Sequence, residues 1–199
     1  MKYLLLLMFG FLFPTIHAQS DQLKIAISCQ QFLNEYYANM ESSPLKVEDL
    51  KRFSSLEFFT ISEEYIIEAR LIRTPDEKPF EMPTTTSRKP LYVKYGELHF
   101  NLDGKDCKLN VYQNIDFSRR PDYANQLFLP FTDLTSGDTT YGGGRYLDVT
   151  IPEEDTLVLN FHCAYNPLCA YNEKYSCPIV PAENDLPVAV QAGVKAFKK

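Results

Sequence analysis

Hydrophobic positions change their spacing along this chain, and the changes divide it into elements. Leu4 to Phe13 is apolar without interruption, preceded by Lys2 and followed by Pro14 and a small residue at Ala18. Ile25, Cys29, Phe32, Leu33, Tyr36 and Met40 then recur at steps that place them on one helical face. They predict a helix over about 21–41 that buries Phe32, Leu33 and Tyr36. Ser20 or Asp21 can cap its start, and Ser42-Ser43-Pro44 ends it. A short helix is expected over Val47–Phe53. From there the period falls toward two. Leu56–Ile61 and Tyr65–Ile72 have strand composition, and Thr74–Pro90, with its prolines, reads as a surface loop.

Two hairpins follow from alternation. In the first, Leu98, Phe100 and Leu102 alternate with polar residues up to a turn read as Asp103-Gly104-Lys105-Asp106, and Cys107, Leu109 and Val111 alternate on the return. That loop length sets Leu102 against Cys107 and Phe100 against Leu109, with both apolar sets on one face. The second hairpin is read as Arg145–Ile151 returning through Pro152–Asp155 to Thr156–Cys163, with Ile151 opposite Leu157. Its opposite face collects Tyr146, Asp148, Asn160 and His162. The fold expected is mainly β, an antiparallel sandwich or barrel-like domain over about 55–192 with the N-terminal helix packed on it. Residues 19–199 form one domain.

Composition narrows the function classes. The chain has 199 residues, a formal charge of −6 and 45% hydrophobic residues, within the range of a folded domain. Lys and Arg are scattered with no basic stripe, so no nucleic-acid partner is expected. Residues 1–18 have the layout of a signal peptide, and their apolar run has half the length of a membrane span, so the mature chain is expected to be exported, periplasmic or secreted, without a membrane anchor.

The unusual chemistry lies in the last third. Tyr141-Gly142-Gly143-Gly144-Arg145 is neither a Walker loop nor a dinucleotide fingerprint, since no Gly-Lys-Ser/Thr and no helix follow; no cofactor is expected. The glycines read first as a loop needing positive φ. They can also aim backbone N–H groups into a concavity beside the Arg145 fork. Ala164–Pro187 has no regular period but is rich in Tyr, Pro and Cys, the mark of an ordered functional loop.

The five cysteines are Cys29, Cys107, Cys163, Cys169 and Cys177. Cys29 and Cys107 fall on apolar faces and read as buried thiols. Cys169–Cys177 is the expected bridge in an oxidising compartment, closing a short ring worth about 2.5 kcal/mol, and Cys163–Cys177 is the alternative. His162, Cys163, Cys169 and Cys177 make an atypical zinc set, and Cys169 with His162 and Asn184 or Glu183 can be drawn as a nucleophile triad.

Tyr141–Asp148, Ala164-Tyr165-Asn166-Pro167-Leu168-Cys169-Ala170-Tyr171-Asn172, Cys177-Pro178, Glu183-Asn184 and Leu186-Pro187, in this order and spacing, resemble the uncharacterised family called domain of unknown function 1684. Pro79–Met82 with Arg88, and Leu127–Phe131, are similar to its shorter exported members from Bacteroidetes-like bacteria. Cys163 stands where the family commonly carries a basic residue, and His162 where it commonly carries Asn. The resemblance implies no established activity. The residues support three readings. In the first, the chain is a module binding a small molecule or glycan, with a pocket lined by Tyr141, Gly142, Gly143, Gly144, Arg145, Asp148, Tyr165, Asn166, Cys169, Tyr171, Glu183 and Asn184. In the second, it is a hydrolase using Asp148, Glu183 or Cys169. In the third, the motif is structural and knits a loop to the sheet through Arg145 and tyrosine hydroxyls.

Overall fold

The computed structural model describes residues 13–198, with side chains from Ser20 onward. The apolar run read as an export signal lies outside the described residues except for Phe13, and the expected cleavage point after Ala18 falls inside the first helix. That helix, α1, spans Phe13–Ala38 and is followed by the single turn α2, Val47–Leu50. The strands are β1 (Ile66–Arg73), β2 (Phe80–Glu81), β3 (Leu91–Leu102), β4 (Lys105–Asn114), β5 (Gln126–Phe131), β6 (Arg145–Thr150) and β7 (Thr156–Asn160), with one helical turn, α3 (Ile115–Ser118), after β4. They form one antiparallel sheet in the order β6-β5-β4-β3-β1-β7, with β2 added beside β3, curled into a half-barrel with α1 packed on it.

The inner face of the sheet carries the core. Ala69, Leu71, Leu98, Phe100, Leu109, Val111, Leu127, Leu129, Phe131, Leu147 and Leu159 alternate inward and are buried together. The half-barrel is filled from within by the C-terminal segment, whose Leu186, Val188, Val190 and Ala192 join the same cluster. This segment runs beside the continuation of β5: the Leu186 N–H donates to the Thr132 carbonyl at 2.8 Å and the Leu134 N–H to that of Val188 at 3.1 Å.

Four expectations are corrected. The β3–β4 hairpin pairs Leu98 with Leu109, Phe100 with Cys107 and Leu102 with Lys105, two residues tighter than expected. The turn needs only Asp103 and Gly104, both at positive φ (53° and 70°), the geometry that matches strand twist. A shift of two leaves every side chain on its expected face, and Phe100 and Leu109 are buried as predicted. The second hairpin does not form. β6 pairs with β5 and β7 with β1, so the two strands occupy opposite edges of the sheet. The short connection at 151–155 joins them because the curl brings the edges close. A seam remains between them, and Gln22, Ile25 and Cys29 of α1 line it together with Leu147–Thr150, Leu157, Val158 and Asn160. The third correction concerns Leu56–Ile61, which is not a strand; Phe58 makes only an isolated bridge to Val194.

Finally, α1 forms where expected but is rotated. Ala26 and Tyr37 are buried, Leu33 and Tyr36 are half-buried, and Phe32 is 66% exposed. Apolar residues lie on both sides of this helix, so spacing alone did not choose the face. Small Ala26 permits close packing, and a disulfide from Cys29 to Cys163 fixes the rotation. Tyr37 then meets Tyr171 with ring centroids 4.5 Å apart. The Asn160 side-chain amide donates to the Gln22 carbonyl at 2.8 Å, and the Leu56 N–H donates to Asn34 Oδ1 at 2.8 Å. Among the described residues, no helix is long and apolar enough to cross a membrane.

Candidate functional site

Strand alternation places the residues between the core positions on the outer face of the sheet. There Tyr92 of β3, Phe128 of β5 and Tyr146 of β6 form a row that Tyr165 continues. Ring centroids are 5.7 Å apart for Tyr92–Phe128, 4.7 Å for Phe128–Tyr146 and 5.9 Å for Tyr146–Tyr165, the last two pairs edge to face. The row floors a cavity of about 460 Å³. Phe117 and Tyr123 wall one side. The loop at Ser176–Pro178, joined to the 83–88 segment by the Ile179 N–H to Pro83 carbonyl bond of 2.9 Å, walls the other.

Two charged side chains, Asp148 and Arg88, reach this bowl, and Asn114, Gln126 and Ser176 add polar groups to its lining. Asp148, next outward residue on β6 after Tyr146, accepts the Tyr165 hydroxyl at 2.9 Å. Partial burial raises the Asp148 carboxyl above its usual range, and the Tyr165 hydroxyl bond opposes that rise. Its solvent-open side leaves the group free to accept further donors. Arg88 stands at the rim, its guanidinium donating to Ser176 Oγ at 3.1 Å and to the Ser176 carbonyl at 2.9 Å. The Tyr146 hydroxyl is fastened to the Pro178 carbonyl, which ties floor to wall. A second cavity of about 340 Å³ shares Asp148, Tyr165 and Leu168 with the first and is roofed by Leu33, Tyr36 and Tyr37 of α1.

Of the twelve residues expected to line a pocket, Asp148 and Tyr165 line this one. Arg145 lies on the core side of β6, 0% exposed. It pairs with equally buried Asp133 at 2.8 Å and donates to the carbonyls of Val190, at 2.8 Å, and Ala192. Asp133 in turn accepts from Thr135 and from the Val190 N–H. Arg145 thus holds the C-terminal segment inside the half-barrel. Asn184 is also fully buried. Its amide group accepts from the Asn110 N–H at 2.8 Å and donates to the carbonyls of Asn110 and Pro130, bridging β4 and β5 where they splay. Asn166 donates to the Lys195 carbonyl at 2.9 Å and to the Tyr171 hydroxyl at 3.2 Å. Tyr171 is packed between Tyr37 and Phe197. Glu183 is exposed on the surface.

Gly142 and Gly143 are exposed, and Gly144 is buried at φ +83°, where a Cβ would lie 2.5 Å from the Phe131 carbonyl oxygen. That loop serves backbone geometry. Tyr141 reaches Cys169, with Oη 4.0 Å from Sγ.

The cysteine expectations are revised. Cys29, expected as a buried thiol, is bridged to Cys163, while Cys107, Cys169 and Cys177 are thiols. His162 is fully buried, its Nε2 2.7 Å from the Ser62 carbonyl oxygen and its ring edge-on to Tyr65. Burial lowers its pKa. It is thus committed away from Cys169, so neither the nucleophile triad nor the zinc set assembles; among the described residues no cluster of three or more metal-ligating side chains exists. Sequence reasoning missed Arg88, Tyr92 and Phe128. Phe128 and Tyr146 do alternate with core residues on their strands, but only the pairing of β6 with β5 brings them side by side.

No protein with a curated description matches the chain. Among solved structures, the solution NMR structure of an uncharacterized protein from Haloarcula marismortui superposes with a TM-score of 0.70 at 29% identity, covering 90% of this chain and 96% of that one. The family model described as "Protein of unknown function (DUF1684)" matches residues 51–195, which takes in the whole sheet, the aromatic row and the C-terminal segment. The chain belongs to that family.

Proposed function

We propose that this chain is an exported binding protein for a small sugar-like ligand, held in the cavity on the outer face of the sheet. The observation that carries the reading is the row Tyr92–Phe128–Tyr146–Tyr165 with the Asp148 carboxylate at one end and the Arg88 guanidinium at its rim. Aromatic faces pack against the C–H faces of a sugar ring, while a carboxylate and a guanidinium pair with its hydroxyls, and a few hundred Å³ is the ordinary size of such a site. The adjoining cavity behind Asp148 and Tyr165 suits a ligand of two rings better than one. Binding is favoured over hydrolysis because Asp148 is the one carboxylate among the described residues lining the larger cavity, whereas glycoside hydrolysis ordinarily uses two. Export is supported by the leader-like first 18 residues and by the Cys29–Cys163 bridge, which persists in oxidising compartments.

Calorimetric titration with cellobiose, N,N′-diacetylchitobiose and glucose tests the reading. Binding of at least one disaccharide, weakened about tenfold or more by Phe128→Ala and by Asp148→Asn in variants with unchanged circular dichroism, is expected. No heat from any of these sugars, or binding indifferent to both substitutions, overturns it. Cell fractionation and N-terminal mass of the mature protein test export.

A further inference from the structure

We propose that Cys169 and Cys177 form a redox-active dithiol that exchanges with disulfides, Cys169 attacking and Cys177 resolving. The cysteines of this chain fall into separate kinds. Cys29 and Cys163 are bridged, and Cys107 is sealed in the core. Cys169 and Cys177 lie together with donors and acceptors aligned between them. The Cys169 N–H donates to Cys177 Sγ at 3.2 Å, and the Tyr141 hydroxyl lies 4.0 Å from Cys169 Sγ.

The two sulfurs differ in access. Cys177 is 5% exposed. It is clamped on both sides of its peptide by Thr85: the Cys177 N–H donates to Thr85 Oγ1 at 3.1 Å, and the Thr85 N–H donates to the Cys177 carbonyl at 2.9 Å. Cys169 sits on a helical turn, partly open to solvent. Hydrogen bonding has the same direction as access. The Cys177 S–H, then the hydroxyls of Tyr141 and Thr85, favour the thiolate of Cys169 and bring it to about 6 against the opposing effect of burial. The same thiol–thiol bond, with burial, pushes Cys177 up. An accessible thiolate beside a buried, protonated thiol is the arrangement that two-step exchange requires.

The steps balance with a disulfide RSSR as oxidant. The Cys169 thiolate attacks one sulfur of RSSR, the S–S bond breaks, and RS⁻ leaves to take up a proton. Cys177 then loses its proton and attacks the Cys169 sulfur, expelling the second RS⁻. Two protein thiols become one disulfide, and RSSR becomes two RSH. Cys177 also lines the larger cavity, so the exchange alters one wall of that site.

The test equilibrates the full chain in oxidised and reduced glutathione of stepped ratio, quenches with acid, alkylates and maps peptides. A 169–177 linked peptide is expected at ratios that leave Cys107 unmodified and Cys29–Cys163 intact. Cys177→Ser is expected to trap glutathione on Cys169, and Cys169→Ser to leave Cys177 unmodified on the same timescale. At pH 6.5, Cys169 in the reduced protein should react with iodoacetamide about fivefold faster than free cysteine, the gain in thiolate being partly offset by lower nucleophilicity. Absence of the linked peptide at every ratio, or trapping on Cys177 in place of Cys169, overturns the proposal. Sugar titrations do not enter this test, so its failure is separable from failure of the binding reading.

Discussion

Removing the Arg145 side chain distinguishes a structural knot from a ligand-binding arginine. In Arg145→Met, the Asp133 carboxylate keeps its bonds from Thr135 and Val190 but loses the counter-charge of Arg145, while the carbonyls of Val190 and Ala192 lose their side-chain donor. All of this happens where both charged side chains are 0% exposed, so water cannot replace the lost partner. Breaking a buried pair from one side costs about 3–5 kcal/mol. The whole stability of a domain is about 5–15 kcal/mol, and for one of this size each kcal/mol moves the melting temperature by about 2–4 °C, so a fall of roughly 6–20 °C is expected. Non-reducing thermal unfolding measures the fall and urea unfolding the free energy, both followed by circular dichroism and tyrosine fluorescence. Adding Asp133→Asn removes the orphaned charge while leaving an acceptor for Thr135, and should recover about 1 kcal/mol or more. An arginine kept for a ligand behaves in the opposite way, its removal leaving stability unchanged or raised. Arg145→Met within about 1 kcal/mol of wild type would therefore refute the structural assignment.

Three further outcomes follow from particular contacts. Gly144→Ala meets the Phe131 carbonyl at 2.5 Å from a positive-φ backbone and should cost about 2 kcal/mol or more, whereas Gly142→Ala, whose nearest neighbour is 3.5 Å away, should stay within about 0.5 kcal/mol in the same urea assay. Glu97 is held at about 2 by Lys94 at 2.7 Å, with His99 and Lys108 adding to the effect and burial opposing it. The unfolded chain takes up that proton near 4.5, so the stability difference between wild type and Glu97→Gln should be full above pH 4.5 and fade as pH falls toward 2; a pH-independent difference in urea midpoint would contradict the assignment. Cys29→Ser opens a loop spanning 134 residues, for which chain entropy gives about 5 kcal/mol, and should expose α1 to hydrogen exchange before the sheet; equal protection of α1 in wild type and variant would count against the bridge as its anchor.

Much of the fold was legible because local pattern and tertiary fate agree there. Leu98–Val111 alternates cleanly around an Asp-Gly turn, and no register that keeps one face apolar could have put Phe100 outside. The failures arise where two placements satisfy the same pattern. Leu147, Val149, Leu157 and Leu159 alternate identically whether their strands are hairpin neighbours or the two edges of a curled sheet, and only the pairing with β5 and β1 separates the cases. Ile25, Ile27, Phe32 and Tyr36 surround α1 on several sides, so periodicity could not rank faces that a covalent bond from Cys29 decides. Leu186, Val188, Val190 and Ala192 alternate too, but the prolines around them read as loop, and a segment that fills a barrel from inside needs no strand ladder of its own.

The site was legible in chemistry and misread in geometry. Residue types concentrated in the last third do matter, but strand parity sends them to different sides of the sheet. Arg145 and Leu147 face inward, Tyr146 and Asp148 outward, so a motif contiguous in sequence divides into a structural half and a cavity half. Reading 145–148 with a period of two, instead of as one cluster, assigns Arg145 to the core side and asks at once what neutralises a buried guanidinium. Asp133 answers that question, and no local signal marked it, because the partner lies on the continuation of a different strand. The same parity argument recovers Phe128 as the outward neighbour of Asp148 once β5 is paired with β6, in register at that pair. What remained beyond sequence was the identity of neighbours: the aromatic row is built from three strands and a loop, and its order in space, Tyr92, Phe128, Tyr146, Tyr165, follows the sheet.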